Sequence, residues 1–106
     1  MFNGGGGGVI KCYIVAEIEV HDSAGFESYR AAVAPMISDA GGRYVVRGGA
    51  VRQLEGDAPN KRMVIIEFPS LKMAETFWNS EEYRAVAALR HNSSHSRIYM
   101  IEGLPS

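Results

Sequence analysis

The residues with the most chemical potential are concentrated in one stretch, FPSLKMAETFWNSEEYRAVAALRHNSSHSR, residues 68–97. It carries the Phe77–Trp78 pair, Tyr83, Arg90, His91 and His95. Trp and Tyr offer ring faces on which an aromatic ligand can stack. An arginine fork matches a carboxylate. An imidazole titrates near neutral pH and can move a proton, so His91 and His95, with Tyr83, are the weak candidates for catalysis. On a helix, the four-residue spacing of the two histidines would put them on one face as metal ligands. Asn92, Ser93 and Ser94 between them argue for a solvated loop instead, and no carboxylate lies beside them, so no metal is expected. Each candidate also has a structural explanation. Phe77 and Trp78 fall at core spacing, and Arg90 lies near a helix C-terminus, where a cation is favoured by about 0.3–1 kcal/mol.

The elements that must position these side chains follow from periodicity. Residues 10–20, IKCYIVAEIEV, alternate as a strand. Cys12, Ile14, Ala16, Ile18 and Val20 share one face; Tyr13, Val15, Glu17 and Glu19 share the other. Asp22 or Ser23 can cap a helix whose buried stripe is Phe26, Tyr29, Val33 and Ile37, stopped by Gly41–Gly42. Pro35 inside that helix predicts a kink. Residues 43–55 read as a strand interrupted at Gly48–Gly49 by a bulge or bend. GDAPN, residues 56–60, reads as a turn. RMVIIEF, residues 62–68, has the apolar character of a central strand. Ser70 caps a helix carrying Leu71, Ala74, Phe77 and Trp78, which breaks at Asn79–Ser80 and restarts through Tyr83, Val86, Ala87 and Arg90. HNSSHS reads as a loop and RIYMIE as a last strand.

The order β-α-β-β-α-β is the ferredoxin-like, split-βαβ pattern of the α+β class: a four-stranded antiparallel sheet with helices on one face. The right-handed crossover rule puts the first and third strands in the centre. Two helices cover one sheet face. By alternation the other carries Tyr13, Val15, Val45, Met63, Ile65, Tyr99 and Ile101, with Glu17, Arg47 and Glu67 among them. A soluble chain rarely leaves so much apolar area wet. A second copy packed face to face is the simplest cover, so a homodimer is expected.

The bulk numbers narrow the function classes. The chain has 106 residues, enough for one domain and too few for two. Residues 1–8, with five consecutive glycines, read as a flexible leader, and residues 9–106 as the single domain. A formal net charge of −1 gives no general attraction to nucleic acid or to an anionic membrane. No apolar run approaches the length of a membrane span. The single cysteine, Cys12, lies on the apolar strand face. It forms no internal disulfide, reads as inert core, and suits a reducing cytoplasm. Nucleotide-type glycine fingerprints, nucleophile elbows and zinc motifs are absent, so no cofactor is expected.

GGRYVVRGG at 41–49, VIIEFPS at 64–70, FWNSEEYRAVAALR at 77–90 and the closing IEG at 101–103 together resemble domain-of-unknown-function family 1330 over nearly all of residues 13–103. That family is similar in fold to the dimeric α/β barrels, which include antibiotic-biosynthesis-type monooxygenases, muconolactone isomerase-like enzymes and stress-response barrels. The resemblance implies a dimeric barrel and assigns no chemistry. The expected site is a modest pocket between helices and sheet for a small organic molecule, acidic or aromatic. Tyr29, Trp78 and Tyr83 would line it, Asn79 would supply hydrogen bonds, and Arg47 and Arg90 would edge it. Cofactor-independent monooxygenase- or isomerase-like chemistry and a non-catalytic binding or stress-related barrel both remain open on these residues.

Overall fold

The computed structural model describes residues 9–57 and 61–106. The expected leader, residues 1–8, and the end of the expected turn, residues 58–60, lie outside the described residues. Alternation makes β1 (Ile10–Val20) a strand, and its even-numbered residues Cys12, Ile14, Ala16 and Ile18 are buried. The helix α1 (Ser23–Asp39) starts where the Asp22 carboxylate accepts a bond from the Gly25 amide, and it buries Phe26, Tyr29, Val33 and Ile37. It runs through Pro35 without a break and ends at Gly41, whose φ of 90° suits a residue with no Cβ. Then come β2 (Arg43–Arg47), β3 (Arg62–Phe68), α2 (Leu71–Trp78), α3 (Glu81–Ser93) and β4 (Ser94–Pro105).

Serine chemistry divides α2 from α3. Ser70 caps α2 by accepting from the Met73 amide. Ser80 donates its hydroxyl hydrogen to the Phe77 carbonyl, closing α2, and accepts from the Tyr83 amide, opening α3. The sheet order is β2-β3-β1-β4, with antiparallel pairs throughout, so β1 and β3 are central. All three helices pack on one face, and the molecule is only 16 Å through its thinnest direction.

Four local expectations are corrected. The strand expected over 43–55 stops at Arg47; Gly48, at φ 70°, turns the chain out of the sheet while its amide still bonds the Met63 carbonyl. The bulge lies earlier, between Tyr44 and Val46, leaving Val45 as the extra residue. That insertion flips the alternation, so Arg47 stands opposite Val64 on the helix-covered side rather than on the bare face. The expected HNSSHS loop does not exist. Its first residues finish α3 and its last begin β4, because the Ser93 and Ser94 hydroxyls bond back to the carbonyls of Leu89 and Arg90 at 2.6 and 2.7 Å.

Among the described residues no helix packs on the far sheet face, where Val15 at the centre is 8% exposed and Tyr99 and Ile101 are 46% and 55% exposed. A row of apolar residues, Val46, Ile65, Val15 and Tyr99, crosses all four strands at its middle. Two carboxylates flank the row. Glu67 accepts from Arg43 Nε at 2.9 Å and from the Tyr13 hydroxyl at 3.0 Å. Glu17 accepts from Arg97 at 3.2 Å and from the Tyr99 hydroxyl at 3.3 Å. The Arg43 bond, helped by Tyr13, holds the Glu67 carboxyl below the usual carboxylate range against the upward push of burial. Arg97 does the same for Glu17. A depressed folded-state pKa contributes stability that is fully present above the unfolded value of about 4.3 and is lost as pH falls through the folded value. Glu67→Gln should therefore be less stable than the parent in urea unfolding at neutral pH, and the gap should close in acid. A gap that does not change with pH would contradict the assignment.

Candidate functional site

Between helices and sheet lies a small cavity whose floor is formed by Ile14, Ala16, Ile18, Val64 and Ile66. Above the floor, α1 contributes Phe26 and Tyr29, and the α2–α3 pair contributes Phe77, Trp78 and Tyr83. The aromatic groups interlock. Tyr83 stands 4.8 Å from Phe77 and 5.1 Å from Trp78, centroid to centroid, and meets Tyr29 edge-on at 6.5 Å. The Tyr29 and Tyr83 hydroxyls share a 3.0 Å hydrogen bond. Burial, reinforced by Tyr83, pushes the Tyr29 phenol well above its ordinary value, and Arg90 only partly offsets this. Tyr29 is therefore a neutral phenol at physiological pH.

Four arginines surround this apolar space: Arg30, Arg47, Arg62 and Arg90. Arg90 is the most deeply placed, 5% exposed. Its guanidinium donates to the Ser96 hydroxyl at 2.6 Å, contacts His91 Nε2 at 3.3 Å, and sits 5.9 Å from the ring centroids of both Tyr29 and Trp78. Arg62 lies over Phe26 at 5.9 Å, and Arg47 over Tyr44 at 4.6 Å. The Nε–H groups of Arg30, Arg62 and Arg90 are buried without a hydrogen-bond partner. Arg30 reaches Glu27 at 2.9 Å. Among the described residues no carboxylate lies within ion-pair distance of Arg47, Arg62 or Arg90. Among the described residues no Asp, Glu, His or Cys lines the cavity.

The enclosed volume is about 40 Å³, room for a few waters. An adjoining recess of about 150 Å³ opens on the other side of Trp78 and Arg90, with Arg84 and His91 at its edge. A ligand larger than a few atoms must displace side chains at the mouth, where Arg47 is exposed and Trp78 half-buried.

Of the residues expected at the site, the fold gathers Tyr29, Arg47, Trp78, Tyr83 and Arg90 around one cavity. Asn79 stays outside it, exposed at the C-cap of α2, with its amide oxygen accepting from Arg84 at 3.3 Å. His91 borders only the outer recess. His95 is exposed on β4 opposite Glu19, its ring 5.1 Å from that of His21. The two histidines thus stand on different elements, and among the described residues no group of three or more His, Cys, Asp or Glu is placed to hold a metal. Cys12 is fully buried, and burial pushes its thiol up. Arg30, Tyr44 and Arg62 are additional cavity residues. Arg62 has the parity of the buried Val64, Ile66 and Phe68, which is the signal that places it on the helix side.

Gly48 is part of this arrangement. A Cβ there would come within 2.6 Å of the Arg62 guanidinium, and its φ of 70° is costly for any other residue. Gly48→Ala is expected to lower stability by about 1–2 kcal/mol and to move Arg62. A thermal melt with an unchanged midpoint would count against that placement.

The profile of the domain of unknown function DUF1330 matches residues 11–104. The chain belongs to the DUF1330 family. Solved structures place this DUF1330 fold among known neighbours. A Rhodopseudomonas palustris protein of unknown function superposes with a TM-score of 0.70 at 15% identity, covering 91% of this chain and 84% of that one. SnoaB, a cofactor-independent oxygenase from Streptomyces nogalater, superposes with a TM-score of 0.63 at 19% identity, covering 91% of this chain and 95% of SnoaB. A Nitrosomonas europaea protein provisionally grouped with the antibiotic biosynthesis monooxygenases gives 0.58 at 14% identity, covering 92% and 93%. At these identities the likeness shows the ferredoxin-like α+β fold alone. No curated protein matches the sequence. Among the described residues of this DUF1330 protein, no helix is long and apolar enough to cross a membrane.

Proposed function

We propose that this protein binds a small organic anion in the cavity between its helices and sheet, as a cytoplasmic homodimer whose bare sheet faces pack together. The observation that carries the ligand class is Arg90, a guanidinium almost wholly out of water with no carboxylate partner and one unused N–H, above an apolar floor. A buried charge is costly unless paired, and an incoming carboxylate is the partner whose shape fits the fork. The uncovered face supports the dimer. Ile101, Tyr99 and Val45 are 55%, 46% and 42% exposed in the single chain, and burying such area is worth roughly 25 cal/mol per Å².

Thermal shift and calorimetry with benzoate and its neutral isostere benzamide test the reading. Benzoate should raise the melting temperature and bind, benzamide should do neither, and Arg90→Gln should remove the difference. Equal behaviour of the two compounds in the parent would overturn it.

A second reading, cofactor-independent oxygenation or isomerisation, draws on the fold shared with SnoaB and on the Tyr29–Tyr83 pair beside Arg90. Guanidinium and neutral phenol together would hold a developing oxyanion. With no His, Asp, Glu or Cys among the described residues of the cavity wall, such a reaction would depend on a substrate acidic enough to ionise without a strong protein base.

A further inference from the structure

We infer that the ligand carries two anionic groups on opposite ends of an apolar body, one held by Arg90 and the other by Arg62 with Arg47. This rests on the anion-binding reading above and specifies its substrate class. Three guanidiniums around the cavity, Arg47, Arg62 and Arg90, have no carboxylate within ion-pair distance among the described residues. A monoanion held by Arg90 would leave the half-buried Arg62, with its buried Nε–H, unmatched at the other end beside the exposed Arg47.

The charges also fall into two groups. Arg90 is tied to Ser96, and Ser96 stands opposite Ile18 in the sheet register. Arg62 stands opposite Ile18 from the other side. The backbone positions of Arg62 and Ser96 therefore lie on opposite sides of β1, two strand spacings or about 10 Å apart. Arg62 and Arg90 stack over different rings, Phe26 and the Tyr29–Trp78 pair. Arg47 joins the Arg62 side, since it stands opposite Val64, two residues along β3 from Arg62, and its neighbour Gly48 lies against the Arg62 guanidinium. Between the two groups the floor is Ile18, Val64 and Ile14, which offers nothing to a polar group. The arrangement is charge, apolar span, charge, with a buried unpartnered Nε–H at each end, on Arg62 and on Arg90. A ligand of this kind opens the space at its mouth, where Arg47 is exposed and free to swing off Tyr44.

The test is calorimetry on the full chain with three probes of one aromatic body: benzoate, terephthalate with a carboxylate at each end, and phenyl phosphate with its charge on one group. Terephthalate should bind about tenfold or more tighter than benzoate, because a second charge-assisted contact forms, and tighter than phenyl phosphate. Arg62→Gln, at the half-exposed end, should remove the advantage of terephthalate over benzoate. Equal binding of benzoate and terephthalate would overturn the inference while leaving anion binding intact. Phenyl phosphate binding as well as terephthalate would overturn the two-ended arrangement. Binding of none of the three would remove the anion-binding reading along with it. The comparison of probes on the parent protein decides the matter even where an arginine variant does not fold.

Discussion

Replacing Ile65 by lysine is expected to convert a dimer into a folded monomer, read by sedimentation velocity at micromolar concentration. Ile65 sits in the middle of the bare face, between Val46 on one neighbouring strand and Val15 on the other. In the proposed dimer a two-fold axis brings the substitution into the interface twice. Each lysine would lose its hydration among apolar neighbours at an effective cost of several kcal/mol, so the dissociation constant should rise by about a thousandfold or more. The helix side, and with it the arginine cavity, is on the opposite face of the sheet, so the monomer should keep its fold. A parent protein that already sediments as a folded monomer, or a variant that stays dimeric, would refute the face-to-face arrangement.

Phe68→Ala is expected to cost about 3–5 kcal/mol in urea unfolding, the range for removing a fully buried aromatic. Phe68 is 0% exposed, stands 5.5 Å from the Phe77 ring, and rests against Gly42, where a Cβ would come within 2.8 Å of its ring. Such a loss is a large share of the 5–15 kcal/mol that holds a typical domain folded. Phe68 does not line the cavity, so whatever fraction folds should bind anions as the parent does. A loss below about 1 kcal/mol would mean that this end of the core is looser than its geometry shows.

Most of the fold is legible in the sequence because the strongest signals are long and regular. β1 runs over the eleven residues its alternation predicts, and the stripe Phe26, Tyr29, Val33, Ile37 is the buried side of α1. Ser70 and Ser80 mark helix starts by their position, and both make the capping bond. The central places of β1 and β3 follow from handedness alone. The failures come where one local chemistry has two outcomes. A serine-rich stretch reads as a loop, yet Ser93 and Ser94 here fold their hydroxyls onto the preceding turn and let a helix pass directly into a strand. Gly48–Gly49 draws attention as the site of irregularity, while the extra residue is Val45, which nothing in its side chain marks. The site is legible as a set of aromatics and two arginines. Its charge count is only partly so: Arg62 shares the parity of the buried residues of β3, while Arg30 lies outside the buried stripe of α1 and nothing in its spacing marks it.

The additional residue in β2 has a consequence beyond geometry. Were Val45 paired in the ladder instead of left out of it, the residues that follow would exchange sides, and the guanidinium at 47 would point to the bare sheet face instead of to the helix-covered one. An edge strand with one such irregularity works as a selector that routes a cation to one of two compartments. A shift in where that irregularity falls can thus move a cation from one side of the sheet to the other with no change in any side chain.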